Sequence, residues 1–67
     1  MLNRLKVIRA EQNLTQTELA KMAEISRSTL SQIENGEIDP SFETIAKLVK
    51  VLQVPANRIF LALDVVN

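Results

Sequence analysis

Sixty-seven residues with eight basic, eight acidic, no cysteine and no histidine make one small domain of formal net charge zero. A chain this short buries only about 60% of its unfolded surface, which leaves no room for a ligand-sensing module and makes its stability marginal. Without Cys or His, disulfides, thiolate chemistry and almost all zinc sites are excluded, so association with another chain is the supplement left.

Zero net charge counts against indiscriminate nucleic-acid binding, which rides on a basic surface. It still allows a specific binder whose few positive charges and helix N-termini face one way. No segment reaches the roughly 18 apolar residues needed to span a bilayer. The opening MLNRLKVIRAEQN lacks the unbroken apolar core and cleavage site of a signal peptide. The expectation is a cytoplasmic protein with no membrane segment.

Five helices are predicted, in an all-α domain covering 1–67. The first runs from about Leu2 to Gln12, where Leu2, Leu5, Ile8, Arg9 and Gln12 share a stripe. Arg9 is the anomaly, a charge inside the apolar arc. Thr15 opens the second helix, and Thr15 with Glu18 forms a capping box, each able to satisfy the other's unpaired backbone N–H. Leu19, Ala20 and Ala23 face inward. Ser26 is a natural N-cap for the third helix, and Asn35-Gly36 closes it. Asp39 or Ser41 caps the fourth, whose inner stripe is Phe42, Ile45, Leu48, Val49 and Leu52. Glu43 and Lys47 stand outside it at the spacing of a favourable ion pair. Val54-Pro55 introduces a short fifth helix carrying Ile59 and Phe60 inward. The closing IFLALDVV is apolar at seven of eight positions, too greasy for a free tail.

The third helix carries the most informative pattern. With 100° per residue, Arg27, Ser28, Ser31, Gln32 and Asn35 fall within an arc of about 140°, opposite Thr29, Leu30 and Ile33. Every side chain on that arc can donate hydrogen bonds, and none is acidic or apolar. A face needing only solvation would usually carry Glu and Lys. Arg, Ser, Gln and Asn are the types that reach base edges and phosphates in a DNA groove.

From Leu5 to Phe60 the chain resembles the Cro/repressor (XRE-like) helix-turn-helix family of small bacterial and phage transcription regulators. The matching residues are Leu5, Ile8 and Arg9; Leu14-Thr15-Gln16 and Glu18-Leu19-Ala20; Ile25-Ser26-Arg27, Thr29 and Ile33-Glu34-Asn35-Gly36. Pro40-Ser41, Leu48, Leu52, Val54 and Ile59-Phe60 continue the match. The resemblance implies a five-helix domain of the phage-repressor type, with helices 2 and 3 as the helix-turn-helix and helix 3 in the major groove. It puts Arg27, Ser28 and Gln32 at base-reading positions, and Gln16, Thr29 and Asn35 against the DNA backbone. Ser31, on the same face, joins the backbone set. It also pairs Arg9 with Glu34 across helices 1 and 3. The pattern departs at Glu24, a turn position where many relatives carry Gly, and positive φ there is costly for a residue with a Cβ.

These readings converge on a sequence-specific regulator of double-stranded DNA, a repressor by type. The dimer is expected through the segment 61–67, with Leu61, Leu63, Val65 and Val66 at the interface, because one recognition helix reads too few bases. No cofactor, metal or small-molecule effector is expected. An adaptor or antitoxin-like module of the same fold is the competing reading, which an apolar third-helix face would favour. An enzyme is excluded by the lack of a base for any serine, of a phosphate loop and of a paired-carboxylate pocket.

Overall fold

Asn3 decides where the first helix begins. In the computed structural model, which describes residues 1–61, its side-chain Oδ1 accepts from the Leu5 N–H at 3.0 Å, and α1 spans Leu5–Glu11. An Asn side chain that bonds the backbone locally competes with helix extension, and the backbone here pairs with Ile59 and Phe60 instead. Asn3 makes an antiparallel bridge with Phe60, and the Arg4 N–H donates to the Ile59 carbonyl at 2.7 Å. The expected helical start at Leu2 is therefore corrected: Leu2 precedes α1 and is 73% exposed.

The remaining helices are α2 (Gln16–Ala23), α3 (Arg27–Glu34), α4 (Phe42–Leu52) and α5 (Ala56–Ile59). The described residues contain no named strand, so the domain is all-α. Helix α2 packs on α3 and α4, and α4 on α5. Leu5, Leu19, Leu30, Ile33, Leu48, Leu52, Ile59 and Phe60 are fully buried at the centre. Among the described residues no helix is long and apolar enough to cross a membrane.

The helix starts follow local side-chain chemistry. Thr15 and Glu18 form the reciprocal capping box, with Glu18 Oε1 accepting from the Thr15 N–H at 2.8 Å. That backbone donor, then the Thr15 hydroxyl, holds the Glu18 carboxyl below its ordinary range. The stability this adds is present above the ordinary glutamate pKa and fades as pH falls through the lowered one. Ser26 caps α3 by accepting from Thr29 N–H at 3.0 Å. Ser41 rather than Asp39 caps α4, accepting from Thr44 N–H at 3.2 Å, while Asp39 pairs with the Met1 ammonium at 2.7 Å.

Two further expectations for α4 are corrected. Phe42 is 86% exposed. Helical side chains lean toward the N-terminus, so one in the first turn projects beyond the helix end and past the neighbouring elements. Glu43 and Lys47 form no ion pair within 4.0 Å, as an exposed pair gains too little to fix two long side chains.

Helix ends recur on one design. Asn13, Glu24, Gly36 and Gln53 all adopt left-handed φ, between 58° and 74°. After α2, Ile25 N–H reaches back to the Ala20 carbonyl at 3.0 Å; after α3, Glu37 N–H reaches Gln32 at 2.9 Å. These are the closing bonds of a Schellman motif, and only Gly36 makes the turn without a Cβ. Glu24, at φ 58° and ψ 42°, has no side-chain partner among the described residues. Replacing it by Gly should leave stability unchanged or raise it by up to about 1 kcal/mol, since relief of Cβ strain outweighs the added unfolded-state entropy. Glu24→Val should be clearly destabilised. Urea unfolding of the three proteins checks the order.

Candidate nucleic-acid interface

Helix α3 has one face in the core and one in solvent. Leu30 and Ile33 are buried, whereas Arg27, Ser28, Gln32 and Asn35 are exposed and Ser31 is half-buried. Among the described residues the side chains of Arg27, Ser28, Ser31 and Gln32 make no hydrogen bond or ion pair. Four donor-bearing side chains thus remain available on one helical face. Arg27, Ser28 and Ser31 also share with Gln16 a shallow depression of about 360 Å³, where the start of α2 meets the face of α3.

Thr29 and Asn35 stand differently. The Thr29 hydroxyl accepts from Ser26 Oγ at 2.8 Å, and Asn35 Nδ2 donates to Glu37 Oε2 at 3.4 Å. Both side chains are engaged within the fold, and Thr29 is half-buried.

Behind this face lies a polar knot that orients it. Arg9 Nε donates to Glu34 Oε2 at 2.7 Å and Nη2 to Oε1 at 3.3 Å, a two-point pairing. Arg9 Nη1 also donates to the Leu14 carbonyl at 2.8 Å, just past the left-handed Asn13. Gln16 Nε2 donates to Glu34 Oε1 at 3.0 Å. The Glu34 side chain is 1% exposed and that of Arg9 14%. One carboxylate at the end of α3 therefore gathers donors from α1 and from the start of α2. Bidentate, charge-assisted bonds are directional, so the knot fixes both the height and the rotation of α3.

Sequence reasoning missed a second anchor. Asn3 Nδ2 donates to the Ile33 carbonyl at 2.8 Å, tying the end of α3 to the N-terminal segment. The signal was Asn itself, a preferred cap type just ahead of the apolar periodicity, but Leu2 fitted the stripe and hid it. Of the expected interface residues at the C-terminal end, Leu61 is 39% exposed. Leu63, Val65 and Val66 lie outside the described residues.

The arrangement matches known proteins throughout. Residues 5–59 fit the helix-turn-helix family model. The chain is 44% identical over 64 residues to an uncharacterized HTH-type transcriptional regulator of Methanocaldococcus jannaschii, covering 96% of this chain and 97% of that protein. It is 39% identical over 56 residues to the immunity repressor protein of Bacillus phage phi105, covering 84% of this chain but 39% of the phage protein. Among solved structures it resembles the biofilm master regulator SinR in complex with DNA, with a TM-score of 0.75 and 36% identity over 81% of this chain and 87% of that one. The chain belongs to the XRE-type helix-turn-helix family of DNA-binding transcriptional regulators, which are not enzymes.

Proposed function

We propose that the protein is a cytoplasmic repressor that lays α3 in the major groove and binds a near-palindromic operator as a homodimer. The observation carrying this reading is the unpartnered face of α3. Arg27 supplies a planar fork for guanine O6 and N7, Gln32 a donor–acceptor pair for adenine N6 and N7, and Ser28 a small donor beside them. Ser31 and Asn35 on the polar arc, Gln16 beside it, and Thr29 off the arc, whose hydroxyl keeps its own hydrogen after accepting from Ser26, position the helix against phosphates. Gln16 keeps a second amide hydrogen and its carbonyl after bonding Glu34. A two-fold dimer sets the two α3 helices on half-sites about 34 Å apart, one turn of DNA. The phage immunity repressor and the SinR–DNA complex support the reading by likeness.

Selection of bound duplexes from a random pool should enrich one near-palindrome. Arg27→Ala should then lose about 1–3 kcal/mol of specific binding and relax preference at one base pair per half-site. Gln32→Ala should relax a different pair, and Gln16→Ala should weaken all sequences alike, because phosphate contacts position without reading. If no sequence is enriched, the adaptor or antitoxin-like reading takes its place.

A further inference from the structure

The end of α3 carries three acids within six residues, Glu34, Glu37 and Asp39. Two are neutralised, since Glu34 lies against Arg9 and Asp39 against the Met1 ammonium. Glu37 is exposed, and among the described residues it has no ion-pair partner. Its carboxylate meets the Asn35 amide, whose Nδ2 lies 3.4 Å from Glu37 Oε2.

Stability does not account for this acid. The C-terminal end of a helix holds partial negative charge and favours cations, yet the last turn of α3 has no basic residue and Glu37 stands just beyond it. Its backbone is also held in place. The Glu37 N–H closes on the Gln32 carbonyl at 2.9 Å, after Gly36 has turned the chain at φ 74°. Glu37 is therefore pinned to the helix end that presents Asn35.

Asn35 belongs to the polar arc of α3, and in the proposed complex it meets a phosphate. An amide nitrogen donates at about 3 Å, so a phosphate oxygen bound there comes within about 6.5 Å of the carboxylate. That is inside the screening length of about 10 Å at 0.1 M salt, so the two negative charges repel. Phosphate contacts carry no sequence information, and the repulsion falls on every duplex alike.

We propose that Glu37 is a charge brake on DNA binding, lowering affinity for all sequences and leaving the choice among them to Arg27, Ser28 and Gln32. The brake rests on the DNA-binding reading and names the residue that sets its absolute strength.

Glu37→Gln keeps the size of the side chain and removes its charge. Parent and variant are titrated against the duplex enriched by selection and against an unrelated duplex of equal length. At about 0.1 M salt both affinities should rise by the same factor, about three- to tenfold for each half-site. The salt dependence should steepen, so that the gain shrinks as salt rises. Glu37→Asp, which keeps the charge, should stay close to the parent. Melting temperatures at or above that of the parent verify that the variants are folded. Unchanged or weaker binding by Glu37→Gln overturns the brake while DNA binding stands. A changed base preference overturns it too, because Glu37 then reads a base, as a carboxylate accepting from cytosine N4 does. A parent protein that binds no duplex removes the DNA-binding reading and the brake together.

Discussion

Arg9→Met and Glu34→Leu are each expected to cost about 3–5 kcal/mol, with the double replacement recovering much of the loss. Removing one member of a buried pair strands the other charge, whereas removing both leaves apolar groups of similar size. Arg9→Met should be the worse single change. Glu34, at 1% side-chain exposure, would keep only the Gln16 amide, while a stranded Arg9 keeps the Leu14 carbonyl and more access to water. A domain of this length has a total stability of about 3–10 kcal/mol at ordinary per-residue values, so either single variant should be partly unfolded at physiological temperature. Urea unfolding of the four proteins measures the coupling. Strictly additive losses would show that the pair contributes nothing beyond its separate residues.

Phe60→Ala should be nearly as damaging, at about 3–5 kcal/mol, because Phe60 is fully buried and its loss opens a cavity beside its bridge to Asn3. Phe60→Leu should cost only about 1 kcal/mol, since most of the volume is retained. The functional signature separates this change from those on α3. At a temperature where enough Phe60→Ala protein is folded, the preferred DNA sequence should be that of the parent chain, with apparent affinity lowered by the unfolded fraction. Arg27→Ala should do the reverse, shifting base preference at unchanged melting temperature. A change of base preference in the Phe60 variant would mean that the C-terminal packing sets the pose of α3 and not merely its stability.

Much of this was legible in the residues because it depends on contacts a few positions apart. The Thr15–Glu18 box, the Ser26 cap and the Asn35-Gly36 stop are local chemistry, and each stands where its residues place it. The two faces of α3 follow from helical spacing alone. The left-handed turn at Glu24 came from the resemblance rather than from propensity, which disfavours it. What the sequence could not fix was anything settled by elements distant along the chain. Leu2 and Phe42 fit their helical stripes, yet both are exposed, because burial depends on where the neighbouring helix ends and not on periodicity. Asp39 and Ser41 are equal candidates for a cap until the fold brings Met1 against Asp39. Asn3 reads as a residue within a helix until the Ile33 carbonyl, thirty positions away, arrives to accept its amide. Arg9 alone is an oddity in an apolar stripe. Only the packing of three elements around Glu34 makes it the post to which α3 is tied, since a buried charge is tolerated only where tertiary structure delivers its partner.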